Sequence, residues 1–138
     1  MYTVIHSQCP ENYYNNIEKD YDMAKKYYMI AIEKGNDIVK KSAMNNLAIY
    51  YKNIEKDYDL MKKYYLMAID RGNTKSMNNL ANYYNDIEKD YDMMKKYYLM
   101  AIDVGCVIAM NNLGFYYYQT EQPDGYNYDM MKKYYLMA

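Results

Sequence analysis

Apolar and polar residues follow one pattern that this chain uses four times. The pattern reads DYDMAKKYYMIAI at 20–32, DYDLMKKYYLMAI at 57–69, DYDMMKKYYLMAI at 90–102 and NYDMMKKYYLMA at 127–138. In the second copy the apolar residues recur at steps of three and four, the spacing of one face of an amphipathic helix. The lysine pair falls off that face and is expected to meet water. Each copy is therefore predicted to be a helix, and the buried stripe of the second copy is Tyr58, Met61, Tyr65, Ala68 and Ile69.

Capping residues mark the ends of these helices. An Asp or Asn precedes each stripe, where its side chain can accept a hydrogen bond from the free N–H groups of the first turn. Glycine follows three of the stripes, where it adopts the left-handed C′ conformation without steric cost. The expected N-caps are Asp20, Asp57, Asp90 and Asn127, and the expected closing residues are Gly35, Gly72 and Gly105.

A shorter helix is predicted before each of the last three copies. These segments read SAMNNLAIYYKNIEKD, KSMNNLANYYNDIEKD and IAMNNLGFYYYQTEQPD. Each carries a narrow apolar face of Leu, a small residue and Tyr, and the small residue indicates a close helix crossing. The three faces are Leu47, Ala48 and Tyr51, then Leu80, Ala81 and Tyr84, then Leu113, Gly114 and Tyr117.

The unit repeats every 33 or 37 residues, so four extra residues are inserted twice, between Gly35 and Met44 and within 119–127. Both insertions are expected to fall between helices. Units this short cannot bury their apolar faces alone and must stack on their neighbours. The first helix is expected to be at most a stub, because Pro10 stands where Leu47 stands one unit later. We predict a single domain over 1–138, with helix hairpins at about 11–35, 39–72, 75–105 and 108–138.

Three registered copies of one motif carry a family resemblance. The motif is A-x3-L-[AG]-x2-Y, followed by a Tyr doublet, Ala and Gly, and it resembles the Sel-one-like repeat, a branch of the tetratricopeptide-type helical solenoids. The resemblance covers about residues 11–138. Tyr stands where the family usually has Trp, and Met stands at three places where it usually has Ala. The matching residues are Ala43, Leu47, Ala48, Tyr51, Tyr64, Tyr65, Ala68 and Gly72, then Ser76, Leu80, Ala81, Tyr84, Tyr97, Tyr98, Ala101 and Gly105, then Ala109, Leu113, Gly114, Tyr117, Tyr134, Tyr135 and Ala138.

This resemblance implies an all-α, right-handed α-solenoid of about three and a half hairpins and seven helices. It also implies a non-enzymatic interaction scaffold that binds a peptide or protein partner in the groove lined by the short helices. Asn side chains both donate and accept, so a ladder of them can hydrogen-bond an extended peptide backbone. Phe115 and Tyr118 would supply an apolar anchor, unless all these residues are merely solvated. The expected groove residues are Asn45, Ile49, Lys52, Asn78, Asn82, Asn85, Asn111, Phe115 and Tyr118.

A second hypothesis is self-assembly of a structural repeat protein. The chain starts and stops without recognisable polar caps, and solenoids need such caps to stay soluble. Exposed ends would pair with another copy and give a homo-oligomer. The segments 54–70 and 87–103 differ only at Leu60 and Met93, which is also typical of a recent duplication serving as a generic spacer.

Composition and charge narrow the function further. The chain has 17 basic and 18 acidic residues, so no long-range attraction to nucleic acid or an anionic membrane is expected. It contains no apolar run near the roughly 18–20 residues of a membrane span, and its start lacks the features of a signal peptide. Lone cysteines favour a reducing compartment, and we expect a cytoplasmic protein. The abundance of Tyr, Met, Asn and Lys is typical of A/T-rich genomes such as those of large DNA viruses, in which case the compartment is the host cytoplasm.

Candidate chemistry is sparse, and no catalytic residue, metal or cofactor is expected. His6 and Cys9 have metal-ligand spacing but lack two further ligands. Cys106, far from the one histidine, is interpreted as a structural thiol. The lysine pairs beside tyrosine doublets could suggest a nucleic-acid ladder, but adjacent acids nearly cancel their charge. The recurring carboxylates are interpreted as helix-capping groups, beginning with Glu18, Asp20 and Asp22.

Overall fold

The computed structural model describes residues 10–120 and 126–138 of the chain. These residues form α-helices and contain no strand, so the all-α prediction is confirmed for the part described. Two π-helical turns, Tyr51–Glu55 and Tyr84–Glu88, extend the second and fourth helices. The α-helices in chain order are α1 Pro10–Lys34, α2 Asp37–Tyr50, α3 Tyr58–Asp70, α4 Thr74–Tyr83, α5 Tyr91–Asp103, α6 Val107–Gln119 and α7 Tyr126–Met137.

The helices pack in chain order. Each one makes its main contacts with the helix before it and the helix after it, and the most extensive contacts join α2 to α3, α4 to α5 and α6 to α7. The segments that connect successive helices are short, and short connections place neighbouring helices side by side and antiparallel. The apolar stripes of α3 and α5 turn mainly into one shared core that runs through these pairs, whereas Tyr21 and Tyr91, the equivalents of Tyr58, are exposed.

Small residues let the helices approach closely where the sequence indicates a crossing. Leu47, Leu80 and Leu113 are fully buried. At Gly114 an added Cβ would lie only 3.3 Å from the backbone nitrogen of Tyr135, so α6 and α7 nearly touch there. The methionines that depart from the family pattern fit this core, because Met61 and Met94 are completely buried. Met is unbranched and adapts to irregular space.

Stacked tyrosines join the two helices of each pair. The rings lie nearly parallel with centroids 5.6–5.9 Å apart, a geometry worth about 0.5–1.5 kcal/mol per pair beyond simple burial. The first ring of each pair lies near the end of the first helix of that pair, and the second lies in the helix that follows. The stacked pairs are Tyr51 with Tyr64, Tyr84 with Tyr97, and Tyr117 with Tyr134.

The predicted caps are confirmed in the middle of the chain. The carboxylate of Asp57 accepts a hydrogen bond from the Leu60 N–H at 3.0 Å, and Asp90 caps α5 in the same way. Gly72 and Gly105 adopt left-handed φ angles of 78° and 86°, as expected for closing residues.

The caps predicted at the two ends of the chain are wrong. Asp20 lies inside α1, and α7 begins one residue before Asn127, so neither is an N-cap. Gly35 does not adopt a left-handed φ. It is required for space, since an added Cβ would lie 2.6 Å from the carbonyl oxygen of Ala31 and 2.7 Å from a methyl carbon of Val39.

The first predicted hairpin is a single helix, because α1 runs for 25 residues without the expected break. The letters NIEKD occur at 16–20 inside α1 and again at 53–57, where the chain leaves α2 and Lys56 turns left-handed. Because the local sequence is the same in both places, packing against the rest of the protein decides whether the helix ends there. Leu47 and Tyr51 hold the end of α2 in the core, whereas Pro10 replaces that leucine in the first copy and suits the start of a helix instead.

The first insertion also lies elsewhere than expected. It does not separate helices but lengthens α2, which has 14 residues where α4 has 10. Asn36 caps the added turn by accepting a hydrogen bond from the Val39 N–H at 2.9 Å. Most of the second insertion, residues 121–125, lies outside the described residues.

Candidate functional site

Two asparagines of the expected groove are buried inside the protein. Asn45 of α2 accepts hydrogen bonds from the Ser76 hydroxyl at 2.8 Å and from the Asn79 amide at 3.2 Å, both on α4. Asn78 of α4 accepts one from the Asn112 amide of α6 at 3.2 Å. These bonds tie each hairpin to the next, because the following short helix covers this face. Asn45 and Asn78 are therefore structural and not open to a partner.

Asn82 lies at the edge of the same helix face and is only partly covered. Its carbonyl oxygen accepts a hydrogen bond from the Tyr98 hydroxyl and a longer one, 3.4 Å, from the Asn112 amide. Burial, reinforced by the nearby Asp86 carboxylate, raises the pKa of the Tyr98 phenol. Tyr98 thus stays protonated, and its hydroxyl keeps the Asn82 side chain oriented. Both bonds use the carbonyl oxygen of Asn82, so neither uses the N–H₂ group of that side chain.

An open cleft of about 270 Å³ lies beside Asn82, and we call it the α4–α6 cleft. One wall comes from α4 and its π-helical turn, the other comes from α6, and α5 contributes one tyrosine. Asp86 is the one charged residue in the described part of its lining, and the Asn85 amide donates a hydrogen bond to that carboxylate at 2.7 Å. The lining residues are Asn82, Asn85, Asp86, Tyr98, Asn112, Phe115, Tyr116 and Gln119.

Exposed aromatic residues stand at this cleft. The rings of Phe115 and Tyr118 stack with centroids 6.4 Å apart, and they are 49% and 65% exposed. Asn111 is exposed on the same helix. Phe115 lines the cleft, and Tyr118 lies beside it without being part of the lining.

The nine expected groove residues do not line one continuous cleft. Asn82, Asn85 and Phe115 meet in the α4–α6 cleft, whereas Ile49 lines a separate, mostly apolar depression between α1 and α2. Lys52, in the first π-helical turn, is half-buried and lines neither of them. Only three of the nine expected residues therefore share one cleft, which lies between two hairpins.

Sequence reasoning missed Asp86 and Tyr98 as cleft residues. Asp86 precedes the IEKD segment and is not among the candidate residues, and Tyr98, the equivalent of Tyr65, belongs to the predicted buried stripe. A signal was present for Asp86, which lies four residues after Asn82 and so shares its helix face. Tyr98 comes from another helix, and only the packing brings its hydroxyl to Asn82.

Two of the lysines next to the tyrosine doublets, Lys62 and Lys25, form ion pairs with a glutamate of the following hairpin. Lys62 of α3 binds the Glu88 carboxylate and lies over the Tyr83 ring, 5.2 Å from its centroid, while Glu88 also accepts a hydrogen bond from the Tyr83 hydroxyl at 2.7 Å. The bond from Lys62 holds the pKa of Glu88 below its usual value, and the same bond raises the pKa of Lys62. Lys62 was expected to be solvated, but it is half-buried because Glu88 of the next hairpin reaches it.

The same arrangement occurs one hairpin earlier. Lys25 of α1 binds Glu55 at 2.6 Å and lies 5.2 Å from the centroid of the Tyr51 ring. Its hydrogen bond to Glu55 raises the pKa of Lys25. In these two copies the first lysine of the pair therefore connects its helix to the next hairpin.

Other expected chemistry finds no site in the described residues. His6 and Cys9 lie outside them, and the described part brings no three His, Cys, Asp or Glu side chains together for a metal. Cys106 is half-buried at the N-cap of α6, where its side chain makes no capping bond. None of the described helices is both long enough and apolar enough to cross a membrane.

Comparison with known proteins supports the fold alone. No protein-family model matches the chain, and no curated protein matches it in sequence. Among solved structures, the chain is similar to the crystal structure of immunity protein Pa5087 from Pseudomonas aeruginosa, with a TM-score of 0.62 over 77% of this chain. The two sequences are 21% identical, and the match spans 42% of that protein's chain.

Proposed function

We propose that this chain is a non-enzymatic interaction module whose α4–α6 cleft binds an extended segment of a protein partner. The observation that carries the proposal is the cleft itself, which combines side-chain amides with an exposed pair of stacked aromatic rings. Exposed aromatic residues next to oriented polar groups are typical of the anchor positions of protein interfaces. The bound segment would place an apolar side chain against Phe115 and its backbone against Asn82 and Asn85.

The amide groups suit a peptide backbone because they donate and accept at once. Asn82 is oriented by Tyr98, and Asn85 is oriented by its bond to Asp86. Groups held in place before binding lose less conformational entropy when a partner arrives. Fewer asparagines are available to a partner than the sequence indicates, because Asn45 and Asn78 already form hydrogen bonds between hairpins.

We further propose that the architecture is a right-handed α-solenoid of the Sel-one-like repeat type. Packing in chain order supports it, as do the bonds from Asn45 to α4 and from Asn78 to α6. In such arrays each unit contacts only its neighbours, and partners bind along the surface that results. The similarity to an immunity protein agrees with a protein as the partner, but it does not indicate which protein.

Peptide selection with matched variants tests the proposal. A random peptide library is enriched on the immobilised protein, and the affinity of enriched peptides is measured by fluorescence polarisation. Phe115→Ala should weaken binding roughly tenfold or more, as expected for an anchor residue. Leu99→Ala is the control, because Leu99 is comparably exposed on α5 but does not line the cleft. Unchanged affinity for Phe115→Ala, with far-ultraviolet circular dichroism intact, would exclude the cleft as the binding site.

Self-association is the second candidate, and exposed apolar residues on α7 favour it. Leu136 is 77% exposed, and Tyr135 and Met137 are exposed beside it. These side chains would be covered if a second copy packed on α7. Sedimentation over a wide concentration range tests this: a mass that rises with concentration and returns to the monomer in Leu136→Glu supports it, and a constant monomer excludes it.

A further inference from the structure

Half of the positions that differ between the α2–α3 hairpin and the α4–α5 hairpin line the α4–α6 cleft. Segments 43–72 and 76–105 can be aligned residue by residue, and they differ at only six positions. Three of these positions line the cleft in the second segment, where Asn82, Asn85 and Asp86 stand. The scaffold has thus been kept while the cleft has changed. The six differing pairs are Ala43/Ser76, Ile49/Asn82, Lys52/Asn85, Asn53/Asp86, Leu60/Met93 and Arg71/Val104.

The change at Asp86 places a negative charge in the cleft that the repeat does not require. The equivalent residue one hairpin earlier is Asn53, so a neutral amide is compatible with the fold at this position. Among the residues that the structure describes, Asp86 forms no ion pair, whereas Glu55 and Glu88 are held by lysines. Asn85 bonds one oxygen of the Asp86 carboxylate, and the carboxylate keeps further capacity to accept.

The surroundings of Asp86 favour an organic cation over a metal ion. Among the described residues, none that lines the cleft is basic, and Lys95 lies over the Tyr116 ring, 5.3 Å from its centroid, without lining the cleft. Phe115 and the neighbouring Tyr118 offer aromatic faces, which attract guanidinium and ammonium groups. A divalent metal would need several oxygen ligands, but Asn82 already accepts two hydrogen bonds, and Asp86 is the single carboxylate among the lining residues that the structure describes.

We propose that the Asp86 corner of the α4–α6 cleft binds a basic side chain of the partner, arginine in preference to lysine. A planar guanidinium pairs with the carboxylate through parallel hydrogen bonds and stacks on an aromatic ring in the same pose. The partner segment is therefore one that carries an arginine next to an apolar residue. This inference rests on the proposed function and specifies the chemistry of the partner.

Two small probes that differ in charge alone test the inference. Isotope-labelled protein is titrated with acetyl-Ala-Arg-Ala-amide and with the same tripeptide carrying uncharged citrulline in place of arginine. We expect the arginine probe to shift the backbone amide signals of Asp86 and Phe115 and to bind roughly three- to fivefold more tightly, the effect of a partly exposed ion pair with ring contact. Equal binding of both probes, or no shift with either, would overturn the inference.

The chain provides matched variants for this titration. Asp86→Asn installs the residue found at Asn53 and keeps an acceptor for Asn85, so the fold should persist while the preference for arginine disappears. Asp59→Asn removes a carboxylate from the separate depression beside the Lys62–Glu88 pair and should leave the preference for arginine unchanged. A preference that survives in Asp86→Asn would contradict the proposal. Selected peptides that need Phe115 but carry no basic residue would overturn this inference and leave the proposed function standing.

Discussion

Replacing Cys106 by asparagine should stabilise the protein, because this residue occupies an N-cap whose capping bond is missing. Asn73, one unit earlier, has φ −77° and ψ 105°, and its side chain accepts a hydrogen bond from the Ser76 N–H at 2.8 Å. Cys106 has almost the same backbone angles, φ −75° and ψ 102°, but makes no such bond. In Cys106→Asn the introduced amide oxygen would accept a hydrogen bond from the N–H of Ala109, which is equivalent to Ser76.

The expected gain in the free energy of unfolding follows from the contribution of one N-capping hydrogen bond. Good N-cap side chains contribute about 1 kcal/mol over residues that cannot cap, within a range of roughly 0.5–2 kcal/mol. Loss of the thiol's packing against the core offsets a few tenths of this, since Cys106 is half-buried. A net gain near 1 kcal/mol should raise the melting temperature by roughly 3–5 °C for a domain of this size.

Urea unfolding followed by far-ultraviolet circular dichroism measures the gain as a shift of the midpoint at constant slope. Cys106→Ala removes the thiol without adding a cap and should not stabilise. Asn73→Cys should lose about 1 kcal/mol or more, because Asn73 is buried. Hydrogen exchange at the Ala109 amide should slow only in Cys106→Asn. The reasoning is refuted if Cys106→Asn leaves both the midpoint and that exchange rate unchanged.

Three further predictions follow from the packing. Burial raises the pKa of Tyr65 to about 12, so the neutral phenol stabilises the fold below pH 10. This contribution, at most about 3 kcal/mol, is lost as the pH rises from 10 to 12, and helix loss should accompany phenolate absorbance. Asn45→Ala leaves the buried Ser76 hydroxyl without its acceptor and should cost about 1–3 kcal/mol by urea unfolding, whereas a cost near zero would show that the bond is dispensable. Glu88→Gln removes the ion pair with Lys62 but keeps an acceptor, so it should cost less than about 1 kcal/mol, and the difference from wild type should shrink at high salt.

The helices and internal caps could be predicted because they depend on nearby residues. Apolar spacing defines the stripes, and Asp57 and Asp90 cap through bonds only three residues away. The same reasoning failed at Asp20, although the letters around it match those around Asp57. There the outcome depends on a leucine that holds the end of α2 in the core and that Pro10 replaces in the first copy. Local patterns predict where a helix can end, and packing decides whether it does.

The cleft was harder to predict because exposure depends on the next hairpin. Asn45, Asn78 and Asn111 occupy the same place in the motif, yet the first two are buried and the third is exposed. Helical register shows which residues share a face, but it does not show which part of that face a neighbour covers. The ion pair of Lys62 with Glu88 was missed for the same reason, since its partners are 26 residues apart.

The most direct test of the cleft as a binding surface is site-specific photo-crosslinking to a peptide enriched by selection. A benzophenone side chain replaces Gln119, which lines the α4–α6 cleft, or Asp59, which lines the depression beside the Lys62–Glu88 pair. The covalent product is then identified by mass spectrometry. We predict a crosslink from position 119 and none from position 59. A crosslink from position 59 alone would contradict the account.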